Sequence, residues 1–285
     1  VDDAFTKSRG TMLTLAEGFD GQTADWSKVT VDTSKLSADK TLGAITLMKS
    51  AAANKLKFSN YAAKNHAVSG DYEVVQRTDT NTGVANAVLI DVNRFRNGDV
   101  TYHNGDNNAK TYAGVSYGGN TAEGNKFTLK GISEGKTLQY VSGGRSEGTA
   151  GGAVKNTVNL LGTGKGTLEE VYGGYVGSAA NSADATENTV NITDGTAKNV
   201  YGGYTSGTGK TTKNTVNIGY TDDKGVFHDV ADGAKVTGTI YGGNGTDVTG
   251  NVLNVSGKLA AGNIKNFESV KFHVRNTMAN GTTLL

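Results

Sequence analysis

At 285 residues the chain has length enough for one long domain or two shorter ones, and it holds 41 glycines with no proline and no cysteine. The missing cysteine excludes a disulfide scaffold and any thiolate metal site, while glycine excess without proline excludes collagen. Lys and Arg total 28 against 27 Asp and Glu, with no runs of like charge, so a nucleic-acid or acidic-lipid binder's electrostatic footprint is missing.

Residues 1–112 carry no repeat. Short period-two patterns predict strands at 11–15, 29–32 and 44–48. Residues 71–77 and 84–92 flank a polar segment, Asp79-Thr80-Asn81-Thr82-Gly83, and read as a hairpin. The alanines and lysines within 47–63 suit a helical turn or two, against the strand signals around them.

From about residue 113 the composition shifts to Gly, Asn, Thr, Val and Tyr, and two motifs alternate. One is Asn-Thr-Val-Asn, starting at Asn156, Asn188 and Asn214, with a degraded copy at Asn251. The other is Val-Tyr-Gly-Gly, around Tyr172 and Tyr201, with variants around Tyr117, Ser142 and Tyr241. A period of about 25 to 40 residues built of short alternating segments means a stacked chain. The missing proline suits this, because every residue keeps its N–H for the ladder.

Alternation puts Val190 and Ile192 on the core face, with Thr189 and Asn191 opposite. Stacked copies then bring Asn159, Asn191, Asn217 and Asn254 together as an amide ladder, about 4.8 Å per step. Tyr117, Tyr172, Tyr201 and Tyr241 are expected to form a parallel aromatic ladder. The glycine pairs after them read as corners with φ > 0. An exposed tyrosine row would serve as a sugar- or protein-binding strip. Its recurrence at one phase favours a packing role.

Function is expected where the repeat is interrupted. The longest insertion, residues 220–232, carries Asp222, Asp223, Phe227, His228 and Asp229, the candidate binding residues. Catalysis finds little support. A polysaccharide lyase or hydrolase needs carboxylates clustered on adjacent rungs, whereas Glu169, Glu187 and Asp194 share no repeat phase. Residues 242–247 match the start of a calcium-binding nonapeptide only once, with Thr249 where an apolar residue belongs. Residues 207–211 have the tail of a phosphate loop, but Tyr204 replaces its first glycine. His66, His103, His228 and His273 lack ligand spacing, and no Gly-x-Ser-x-Gly elbow precedes a helix. No catalytic residue, metal or cofactor is expected.

The tandem motifs over about 113–260 resemble the passenger regions of large autotransporters from Gram-negative bacteria. Asn266-Phe267-Glu268, within 264–272, resembles the strand closing a repeat block in such proteins. Residues 276–285, ending Asn280-Gly281-Thr282-Thr283-Leu284-Leu285, resemble the Asn-Gly-Asp-Thr-x-Leu segment that follows it, with Thr282 in place of Asp. Gly10-Thr11-Met12-Leu13 echoes Gly281-Thr282-Thr283-Leu284, as if one block were cut between two copies. With Val1 preceded by no basic and apolar leader, the chain reads as a mature or excised fragment.

The reading of the whole is an all-β chain: a parallel β-solenoid (β-helix) over 113–285, with a mixed β region or cap at 1–112. The resemblance implies an extracellular or cell-surface passenger segment of a Gram-negative bacterium, an adhesin or surface scaffold. Its partner would be a host or bacterial surface protein or glycan. An alternative is a fibre or spacer unit joining head to tail, and a third reading is a polysaccharide-active β-helix enzyme. No apolar run reaches the roughly 18 residues of a spanning helix, and no series of strands with aromatic girdles marks the family's membrane barrel.

Overall fold

The computed structural model describes residues 13–15, 22–25, 29, 31, 45–50, 56–59, 71–79, 87–104 and 111–285. The fold is all-β, with no helix among the described residues. Its body is a parallel β-solenoid. One seven-stranded sheet takes Asp99–Tyr102, Lys126–Leu129, Thr157–Leu161, Thr189–Asp194, Thr215–Ile218, Val252–Val255 and Ser269–Phe272 in chain order. A six-stranded sheet takes Tyr112–Ser116, Thr137–Ser146, Thr167–Val176, Thr196–Thr205, Lys235–Tyr241 and Ala260–Lys265. Two-residue strands at Ala122–Glu123, Ala153–Val154 and Ala185–Thr186 make a third, short face. Each neighbour in a sheet therefore comes from the adjacent rung.

The repeat sequence explains this stacking. In-register pairing sets Val158 on Val190 on Val216 on Leu253, and Leu160 on Ile192 on Ile218 on Val255. All eight are buried, and they meet Val141, Val171, Val200 and Ile240 from the six-stranded sheet in one continuous core. Each such side chain contributes about 1.5–3 kcal/mol by leaving water. The stack begins at Asp99–Tyr102, a rung ahead of residue 113, with Val100 and Tyr102 over Phe127 and Leu129. That strand keeps the alternation but has neither repeat motif, so its membership is invisible to motif matching.

The turn entering each rung of the seven-stranded sheet has one residue in the left-handed region: Asn97, Gly124, Lys155, Glu187, Lys213, Gly250 and Asn266. The residue after it is a buried asparagine at 125, 156, 188, 214 and 251. The motif glycines do something else. Gly143, Gly144, Gly173, Gly174, Gly202 and Gly203 lie inside ten-residue strands and have no positive φ. They are therefore not corners, whereas Gly119, after Tyr117, does take the expected positive φ of 87°. A Cβ on Gly144 or Gly174 would fall 2.4 or 2.5 Å from the Oδ1 of Asn156 or Asn188, so glycine there makes room for a buried amide.

Ahead of the solenoid, Tyr72–Asp79 and Ala87–Arg94 pair antiparallel, as the sequence predicts. Residues 80–86, holding most of the expected turn, lie outside the described residues. Ile45–Ser50 joins this sheet, and Leu56–Ser59 pairs with Gln22–Asp25, so these parts of 47–63 are strand rather than helix. Helix propensity is a weak preference, and strand pairing overrides it. Leu13–Leu15 is a strand, within the expected 11–15. Of 29–32, residues 29 and 31 are described, with no strand assigned.

Glu73 fastens this sheet to the first rung. Its buried carboxylate accepts hydrogen bonds from the Ser116 hydroxyl at 2.9 Å, the Tyr117 and Gly118 N–H groups at 2.6 and 3.1 Å, and the Asn120 amide at 2.7 Å.

Candidate binding cleft beside the 220–228 hairpin

The second asparagine of each motif builds an outward row. Asn191 Nδ2 donates to Asn159 Oδ1 at 2.8 Å, Asn217 to Asn191 at 2.7 Å, and Asn254 to Asn217 at 2.8 Å. His273 Nε2 lies 3.3 Å from Asn254 Oδ1 at its end. The first asparagine of each motif builds a second, inner ladder that sequence reading missed. Asn188 Nδ2 donates to Asn214 Oδ1 at 3.0 Å and to the Ala153 carbonyl at 2.9 Å, while its Oδ1 accepts two bonds from Asn156. Asn156 and Asn214 repeat that pattern, and the ladder ends at Asn125, whose Oδ1 accepts the Gly98 N–H, and at Asn251, whose Nδ2 donates to backbone carbonyls. The same period-two phase that points Val190 inward also points Asn188 inward, and this was the available signal.

Tyr172, Tyr201 and Tyr241 stack in register on the outer side of the six-stranded sheet, with centroids 5.2 and 4.6 Å apart. Tyr117 does not belong to that row. The register sets Tyr112 opposite Ser142 and hence Tyr172, whereas Tyr117 follows the strand end and gives its N–H to Glu73. A parallel row, Tyr175 on Tyr204 at 5.2 Å, runs alongside. Arg145 lies 4.1 Å from the Tyr140 ring centroid and 4.4 Å from that of Tyr175, and it pairs with Glu147. Stacked rings cover each other's faces, and Tyr172 is itself buried. Sugar stacking needs an open face, so the strip is a poor sugar platform.

Burial, with Glu170 and Tyr241 adding to it, pushes the Tyr201 phenol up to about 12. A raised phenol pKa means that the neutral form is favoured by folding. That contribution is complete below the ordinary value near 10 and is lost as pH rises through about 12. Alkaline titration followed at the phenolate absorbance should show a late-ionising tyrosine that disappears in Tyr201→Phe. Glu170→Gln should bring it earlier.

The insertion forms a small hairpin, with Tyr220–Thr221 antiparallel to Phe227–His228. Asp222 organises its turn: Oδ1 accepts the Lys224 and Val226 N–H groups at 3.0 and 2.9 Å, and Oδ2 meets His228 Nε2 at 2.9 Å. The His228 hydrogen bond, then that from Val226, hold the Asp222 carboxyl below its usual range. The His228 ring stacks on Tyr220 at 4.8 Å, and burial raises the Tyr220 phenol. Asp229 binds Arg275 at 2.8 Å. Burial acts to raise the Asp229 pKa, yet the hydrogen bonds from Arg275 and Val230 outweigh it and lower the carboxyl. Arg275 in turn sits 3.8 Å over the Phe227 ring. Asp223 is exposed at the hairpin tip.

Between this hairpin and the outward asparagine row lies an open cleft of about 330 Å³. Asn217, Asn254 and Ser256 line it from the sheet, and Tyr220 and Phe227 from the hairpin. His273 and Arg275 complete it, and no carboxylate is among its lining residues. Of the sequence candidates, Phe227 faces the cleft, while Asp222, His228 and Asp229 brace its wall. Arg275 was missed because it lies 46 residues beyond Asp229 in the chain.

The other sequence motifs have structural roles. Asn244 spans the Thr205 N–H and carbonyl at 2.9 and 3.0 Å, Asp247 accepts the Thr249 N–H at 3.0 Å, and Lys210 pairs with Asp247. The oxygens of 242–247 and the backbone of 207–211 thus serve rung-to-rung contacts. Glu169 pairs with Lys198, Glu187 occupies a left-handed turn position, and Asp194 accepts the Gly195 N–H at 2.6 Å. His103 is exposed, and His66 lies outside the described residues. No group of three or more potential metal ligands occurs among the described residues. No helix among them is long and apolar enough to cross a membrane. Comparison with protein-family models, curated proteins and solved structures gives no match.

Proposed function

We propose that this chain is a segment of an extracellular or cell-surface passenger of a Gram-negative bacterium, serving as a rigid scaffold and as an adhesin rather than as an enzyme. The carrying observation is the in-register pairing of identical residues rung on rung, Asn159 with Asn191 with Asn217 with Asn254, over one unbroken core. Such a body is stiff and tolerates insertions at its turns, which suits display of a binding element such as the 220–228 hairpin. Its partner is a surface protein or glycan. Beads coated with the purified chain are expected to attach to host or bacterial cells. Removal of the segment from its parent is expected to reduce attachment. Loss of neither property to deletion, with bare-bead levels of attachment, would sink the adhesion reading.

A second reading, self-association, is favoured by the last rung. Val270 and Phe272 continue the core rows of Leu253 and Val255, and Ile264 continues that of Ile240, yet they remain 38%, 57% and 39% exposed. An uncovered row beside an unpaired strand edge invites pairing with another chain. At the other end, Val100 and Tyr102 are buried, so the two ends are unlike. Among the described residues this is the one uncovered core row, and two such rows meeting give dimers joined end to end. Sedimentation should show concentration-dependent dimers that Phe272→Asp abolishes. Strictly monomeric particles at high concentration would overturn this reading.

A further inference from the structure

Resting on the adhesion reading, we propose that the cleft beside the 220–228 hairpin binds the uronic acid units of an acidic glycan. The size fits: about 330 Å³ is at the small end of ligand pockets and suits one or two sugar rings. The charge also fits. Arg275 and His273 line the cleft, and Asp229, the carboxylate paired with Arg275, is not part of the lining. Arg275 uses Nη2 on Asp229 at 2.8 Å, its Nε is buried, and the stack on Phe227 fixes its plane, so the end of the guanidinium is what the cleft presents. A held guanidinium of this kind is suited to a planar carboxylate.

The hydrogen-bonding pattern selects a sugar over an acidic peptide. A primary amide has two N–H groups and an oxygen with two lone pairs. Within the row, Asn217 spends one N–H on Asn191 and one lone pair on Asn254. Each step therefore presents one donor beside one acceptor, the pair that a hydroxyl group satisfies alone. Ser256 adds another hydroxyl, and Tyr220 and Phe227 line the cleft with apolar surface. An acidic peptide would instead seek a free strand edge, and the asparagine row belongs to strands already paired on both sides.

The test is titration of the intact chain with methyl β-glucuronide and methyl β-glucoside, which differ only in carboxylate against hydroxymethyl. The uronide is expected to bind about tenfold tighter, the worth of one charge-assisted hydrogen bond. Arg275→Met should reduce uronide binding to the glucoside level. Asp229→Asn, which releases the competing carboxylate, should strengthen it, so a fold defect cannot explain both results. Equal binding of the two sugars, no saturable binding of either, or an acidic peptide binding better than the uronide would each overturn the proposal. Cell attachment separates it from the broader reading. Wild-type beads that attach, with Arg275→Met beads attaching equally, would defeat this site alone. Uronide binding without attachment would defeat the adhesion reading alone.

Discussion

Replacing Asn188 with alanine is expected to destabilise the stack by roughly 3–6 kcal/mol, because it strands several buried hydrogen-bonding groups at about 1–3 kcal/mol each. The Asn156 backbone N–H and Nδ2 both donate to Asn188 Oδ1, and the Ala153 carbonyl accepts from Asn188 Nδ2. All three lose their partner in a fully buried position that water cannot reach. The void left by the amide adds to the loss. Asn217→Ala removes an amide from the outward row instead, where the site is half-buried and solvent replaces the lost bonds, so about 1 kcal/mol is expected. Urea denaturation of both variants decides the matter. Equal losses would mean that the inner ladder has no special standing. In a solenoid, stability is shared between neighbouring rungs, so hydrogen exchange should rise first in the strands at 157–161 and 215–218.

How much of this was legible depends on what one letter can encode. The alternation in Asn-Thr-Val-Asn-Ile fixes the phase of every apolar residue, so the stacked core and the outward asparagines follow from the sequence directly. Asn188 follows the same phase inward. A lone buried amide is costly, however, and only the neighbouring rungs show that each one is fully partnered. Tyr117 was assigned by its Val-Ser-Tyr-Gly-Gly context, whereas the register is set by Tyr112, whose local letters differ. Arg275 reaches Phe227 and Asp229 only because stacking brings the last rung beside a hairpin two rungs earlier in the long sheet. No local pattern encodes such a contact. The cleft is thus half readable: the insertion could be found, but not the wall it faces.

The paired glycines are where the two readings of one residue separate most sharply, and Gly173 is the position to test. Glycine serves either because its φ is free or because it has no Cβ. Here the backbone is extended, and an added Cβ would lie 2.3 Å from the Gly202 carbonyl oxygen and 3.0 Å from Asn188 Cβ. The first contact is with backbone, so no rotamer change relieves it, and the strands Thr167–Val176 and Thr196–Thr205 must part. Gly173→Ala is expected to cost about 3 kcal/mol, the upper range for overpacking a tight interior. A series resolves the cause. At a left-handed corner asparagine is the best tolerated replacement, because it enters that region most readily. At Gly173 the loss should instead grow with side-chain size, with asparagine worse than serine and serine worse than alanine. Gly225 in the hairpin turn is the control: its φ is 78° and nothing lies within 4 Å of an added Cβ, so Gly225→Asn should cost little. Thermal melts that rank asparagine above alanine at Gly173 would restore the corner reading. The opposite order at the two sites means that the glycine pair of the repeat is kept for the space it leaves to a buried asparagine and to the next rung's backbone.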